Sequence, residues 1–99
     1  MSKSVQKLLN QAIGLHTKGD LAGAEPLYRQ IIEKDVRIFA ANANLGTIYF
    51  SQDKWQEAEL FLLRALSLDN TNAELNYKYA ISLHQQGSWK MPLKLISKH

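Results

Sequence analysis

Three histidines, His16, His84 and His99, are the side chains of this sequence best suited to metal or proton chemistry. Metal ligation needs several donors within a few ångströms of one ion. His16 and His84 fall two repeats apart in the pattern described below, which places them roughly 20 Å apart at about 8–10 Å per neighbouring helix. Glu57 and Glu59 do not form a converging carboxylate pair, because residues two apart on a helix face different ways. Ser51 and Ser88 fall in linkers without a positioned base. There is no HExxH, no GxSxG, no phosphate-cradling glycine loop and no dinucleotide fingerprint. We expect no catalysis, no metal and no cofactor.

The elements behind these residues read as helices. Residues 4–18 carry Val5, Leu8, Leu9, Ala12, Leu15 and His16 at three- and four-residue intervals. Gly19 stops this helix, and Asp20 can cap a second that runs to about Lys34 through Leu27, Tyr28, Ile31 and Ile32. Pro26 lies inside it and should bend it or delay its first turn. Further helices are expected over about 39–52, 55–68, 73–86 and 89–98, with turns at 35–38 and 69–72.

Shifted by 34 residues, the sequence meets itself. Ala12, Gly46 and Ala80 align, as do Leu15, Tyr49 and Leu83; Gly19, Asp53 and Gly87; Leu21, Trp55 and Trp89; and Tyr28, Leu62 and Ile96. A period of this length indicates a solenoid of stacked supersecondary units. The clearest unit holds Leu45-Gly46-x-x-Tyr49, then Ala58-x-x-x-Leu62-x-x-Ala65, then Leu68-Asp69-Asn70. It resembles the tetratricopeptide repeat, over roughly residues 5–99. The flanking units replace Tyr49 by Leu15 and Leu83, Val36 and Asn70 stand where the family often has proline, and Pro92 stands where its siblings have Ala24 and Ala58. The resemblance implies one all-α domain over 1–99, a right-handed α-solenoid of antiparallel helix pairs with about six helices. Its units would be 5–38, 39–72 and a truncated 73–99. Gly46 and Ala58 should lie where paired helices cross, and the column of Trp55 and Trp89 should serve packing.

Composition sets the outer bounds. The chain has 99 residues, 45% of them hydrophobic, and no cysteine. Disulfides and thiolate metal sites are excluded. No apolar run approaches the ~18 residues of a membrane span, and the start, MSKSVQKLLNQ, lacks the apolar core of a secretion signal. We therefore expect a cytoplasmic protein without a membrane partner. The net charge of +3 comes from Lys90, Lys94 and Lys98, one stripe on the expected last helix. Such a short stripe reads as a solvated face, and no nucleic-acid partner is expected.

The candidate binding surface is the inner face of each unit's first helix. Its columns run Gln6, Leu9, Asn10, Ile13 and Thr17; Ala40, Ala43, Asn44, Thr47 and Ser51; and Glu74, Tyr77, Lys78, Ile81 and Gln85. Stacking would line them into a concave groove. The expected peptide-binding residues are Leu9, Asn10, Ile13, Asn44, Thr47, Tyr77, Lys78 and Ile81. Asn10 and Asn44 would form a short amide ladder along an extended peptide, and Lys78 would favour an acidic residue. A clamp for acidic chaperone tails, as some tetratricopeptides have, is not expected. Only Asn44 and Lys78 match it, and Glu74 would repel such a tail. The expected function is a non-catalytic protein–protein interaction module. The alternatives are a regulatory or scaffold domain of a larger enzyme such as a glycosyltransferase, or self-assembly through the unfinished third unit, whose Leu93 and Ile96 would need covering.

Overall fold

The computed structural model describes residues 1–87, which form five α-helices and no strand. The helices are α1 (Lys3–Thr17), α2 (Leu21–Lys34), α3 (Phe39–Ser51), α4 (Trp55–Leu68) and α5 (Ala73–Gln85). These bounds match the expected ones to within about two residues. The expected sixth helix, with Trp89, Pro92, Leu93, Ile96 and the Lys90, Lys94 and Lys98 stripe, lies outside the described residues. No helix among the described residues is long and apolar enough to cross a membrane.

Side-chain caps start three of the helices. Ser2 accepts from the Val5 amide at 3.2 Å, Asp20 from Gly23 at 2.9 Å and Asn72 from Leu75 at 3.0 Å. Pro26 neither breaks nor delays α2. The helix begins five positions before it at Leu21, and Pro26 itself is exposed.

Two turns recur with the sequence period. The chain reverses between α1 and α2 through left-handed Gly19 (φ 86°) and between α3 and α4 through left-handed Asp53 (φ 59°), and Gly87 after α5 is left-handed as well (φ 74°). Glycine adopts this region without strain, and aspartate tolerates it better than most residues. The Asp20 amide then donates to the Leu15 carbonyl and the Lys54 amide to the Tyr49 carbonyl, both at 2.9 Å. This six-to-one closure satisfies carbonyls that the helix end leaves open.

Between units, Asp35 and Asp69 leave their helices at φ/ψ of −155°/104° and −157°/109°. Each carboxylate accepts from the amide two residues on, Arg37 and Thr71, at 3.0 Å. Asn42 and Asn76 then clamp the turn from inside the next helix. Asn42 Nδ2 donates to the Val36 and Ile38 carbonyls, each at 2.9 Å. Asn76 Nδ2 donates to the Asn70 and Asn72 carbonyls at 3.2 and 3.0 Å.

Consecutive helices pack on one another, and α3 also touches α5. The core runs along the stack through Val5, Leu9, Ala12, Tyr28, Ile31, Leu45, Ile48, Tyr49, Leu62 and Leu75. The central helix α3 is buried on most of its surface. Small side chains mark the closest helix approaches. Ala12, Ala24, Ala58 and Ala65 are wholly buried. A Cβ placed on Gly46 would lie 2.9 Å from Leu62 Cγ and Cδ2 and 3.0 Å from its backbone nitrogen.

Gly46→Ala should therefore destabilise the fold although alanine is the better helix former, and Ala58→Leu should do so too. Overpacking costs about 1–3 kcal/mol, which in a domain this small lowers Tm by about 4–8 °C per kcal/mol. Thermal melts followed by circular dichroism check this, and melts within a degree of the parent would contradict the packing. Asn42→Ala should cost about 1–3 kcal/mol, because it removes a wholly buried amide that bonds to the Val36 and Ile38 carbonyls. Asn76→Ala, at an exposed site with the same bonds, should cost clearly less in the same assay.

Candidate partner-binding face

The inner-face columns do not all reach the surface. Leu9 is 6% exposed and belongs to the core, so it presents no contact area to a ligand. Ile13 is 39% exposed and Tyr77 68% exposed, both large apolar side chains left open. Asn10 is exposed, while Asn44, Thr47, Lys78 and Ile81 are half-buried. The middle unit offers mostly small side chains here, with Ala43 buried and Ala40 half-buried.

Asn10 and Lys78 already have partners within the chain. Asn10 Oδ1 accepts from Gln6 Nε2 at 3.1 Å. The Asn44 side chain lies near the Tyr28 hydroxyl and favours its ionised form. Asn10 and Asn44 thus have different neighbours. Lys78 Nζ lies 2.7 Å from Glu74 Oε2, and it sits 5.8 Å from the centre of the Phe50 ring. The ammonium holds the exposed Glu74 carboxyl below its ordinary range. The Lys78–Phe50 contact joins α5 to α3.

Tyr28 ties α2 to the α1 face. It is wholly buried, and its hydroxyl meets His16 Nδ1 at 3.2 Å. The His16 ring stands edge-on to it at 5.9 Å. Burial pushes the Tyr28 phenol up, and the Asn44 side chain opposes this. His16 thereby has a packing role. Trp55 likewise packs edge-on against Phe50 at 5.4 Å.

A second polar cluster joins α2 to α3. Tyr49 Oη donates to Glu25 Oε2 at 2.8 Å and accepts from Arg29, whose Nε lies 3.4 Å from the same carboxylate. The Lys54 ammonium sits 5.7 Å from the Tyr49 ring centre. Burial and the neighbouring carboxylate push the Tyr49 phenol up to about 12.

Several of these residues are not evident from residue-type patterns. Asn42 and Asn76 stand 34 residues apart, as do Asp35 and Asp69, so the period itself marks them. Tyr28 as a bridge, and the pairing of Glu25 and Arg29 with Tyr49, depend on which helices meet and have no comparable signal. Among the described residues no group of three or more His, Cys, Asp or Glu side chains could hold a metal ion.

A scan against models of known protein families finds no match. A search of curated proteins finds a partial relative, the transcription factor tau 131 kDa subunit of Saccharomyces cerevisiae. It is 41% identical over 54 residues, which are 54% of this chain and 5% of that protein's length.

The raised Tyr49 phenol has a consequence for stability. A phenol whose pKa is raised by folding stabilises the folded state fully below its unfolded value near 10. That contribution is lost as pH climbs through the folded value of about 12. The melting temperature should fall between pH 10 and 12, and Tyr49→Phe, measured by circular dichroism over that range, should show a smaller fall. An identical alkaline loss in the variant would contradict the assignment.

Proposed function

We propose that the chain is a tetratricopeptide-like module that binds a peptide or partner segment along its inner helix face, without catalysis. The observation that carries this is Tyr77, an aromatic side chain 68% exposed and next to Lys78 in sequence. An aromatic ring left open on a rigid helix provides contact area at little entropic cost, and such residues dominate binding energies at interfaces. The recurrence of both turns at the sequence period supports a stacked array, in which Ile13 and Tyr77 would flank a shallow trough over Ala40, Ala43 and Thr47. The relative is by its name a subunit, which favours protein partners. The chain spans only 5% of that protein, so the role of the whole does not transfer. A cytoplasmic location forms part of the same proposal.

The half-buried position of Asn44 near Tyr28 changes what a mutation there reports. Asn44→Ala removes an amide of the proposed groove and also packing around a buried phenol, so it is a poor separator of binding from folding. Tyr77→Ala is the better probe because its side chain supports little of the core. Proteins captured from lysate by the parent chain would be titrated against the parent, Tyr77→Ala and Lys78→Glu. A groove ligand should lose about tenfold or more in affinity on Tyr77→Ala, equivalent to about 1.4 kcal/mol, with the melt unchanged. A captured partner that binds all three chains equally would move the binding surface elsewhere.

A further inference from the structure

The middle of the molecule shows how a cleft between paired helices is filled. Leu45 of α3 and Phe61 of α4 face Arg29, Ile32 and Glu33 of α2, with a residual void of about 100 Å³. One period earlier, Gln11 replaces Leu45 and Leu27 replaces Phe61. There the cleft between α1 and α2 is open. It measures about 440 Å³ and is lined by Asn10, Gln11, Gly14, Leu15, Lys18 and Leu27. Gly14 stands where α3 has the buried Ile48, and a Cβ built on it would meet nothing within 4 Å.

Lys18 is the charged residue of this lining, and further lysines lie on the same helix stripes. Lys3, Lys7, Gln11, Gly14 and Lys18 recur at three- and four-residue spacing, so they share one stripe of the helix. Lys34 shares the α2 stripe of Leu27. All four lysines are exposed, and α1 contains no aspartate or glutamate. Asp20, the acidic residue next to Lys18 along the chain, is engaged by the Gly23 amide at 2.9 Å.

The geometry points to a docking site for an acidic amphipathic helix of a partner protein, seated in the α1–α2 cleft as α2 is seated on α3 and α4. Its apolar side would rest on Leu15 and Leu27, close to the bare backbone at Gly14. Its carboxylates would meet Lys7 and Lys18, with Lys3 and Lys34 further along. Charge complementarity of this kind sets partner choice and association rate. A nucleic-acid backbone fits less well, because the lining residues include no arginine and no aromatic ring for a base to stack on. The site is separate from the inner face and stands or falls independently of it.

The test uses the whole chain and two labelled probes at low salt, read by fluorescence anisotropy. One is a peptide of the α2 sequence, Leu21–Lys34, carrying Pro26→Ala, Arg29→Glu and Lys34→Glu. The other is a short DNA duplex. The peptide should bind saturably. Its affinity should drop about tenfold or more in the Lys7→Glu/Lys18→Glu double variant, and similarly in Gly14→Leu, where the new side chain fills the cleft. Gly14→Leu should remain folded by circular dichroism, since the site is open and leucine favours helix over glycine. Tyr77→Ala should bind the peptide as the parent does. Absence of saturable peptide binding, affinity unchanged in both cleft variants, or preference for the duplex would each overturn the proposal.

Discussion

The approach of α3 to α4 at Gly46 is the constraint on which the rest of the structure depends. Helices of 13 to 15 residues are marginal alone in water, so they persist only by burying one side against a neighbour. Leu62 fills the space that a side chain at position 46 would take, to the point where even a methyl group has no room. Ala58 and Ala65, both wholly buried, keep the rest of that helix close. Ala12 and Ala24 play the corresponding part between α1 and α2. Large residues such as Tyr28, Tyr49 and Leu62 then occupy the seams that the small ones define.

Close pairs do not by themselves fix how one pair sits on the next. That relation rests on the polar turns. An aspartate holds the chain as it leaves one helix, and an asparagine in the following helix grips two carbonyls of the same turn. The bonds are short-range and recur at both junctions, so each junction repeats the geometry of the last. Each such hydrogen bond contributes modestly to net stability, but several acting on one turn are effective in holding one geometry. Tyr49 adds bonds across the first junction, from α3 to Glu25 and Arg29.

Much of this was legible in the residues. Helix bounds follow from the three-to-four spacing of Val5, Leu9 and Ala12 and from the stops at Gly19 and Gly87. The tight crossing at Gly46 follows from a small residue at a repeated position. Burial of individual face residues was less legible. Leu9 sits in a column that elsewhere holds Ala43 and the exposed Tyr77, and only the packing around α1 decides that it turns inward. The approach of Asn44 to Tyr28 is equally hidden, because it joins residues from different units whose separation is no multiple of the period. The left-handed Asp53 was visible only through its column, since aspartate alone does not announce that conformation.

The repeat also supplies a rule for locating surfaces that do something other than pack. Where residues of one column share an environment, they should share a character. Ala41, Leu45 and Ile48 are apolar and buried beneath α2, yet their counterparts Lys7, Gln11 and Gly14 are exposed. That contrast marks the α1–α2 cleft as a place where the column has changed from apolar packing to an open polar lining. On the inner face the departure runs the other way, from a buried alanine at 43 to an open tyrosine at 77. A solvated helix face gains nothing from such a ring, since exposing it costs hydrophobic free energy that a polar residue would avoid. The two departures lie on different helices, one on α1 and the other on α5. One is cationic and cleft-shaped and the other aromatic and shallow, so they would select different ligands while leaving the shared core unchanged.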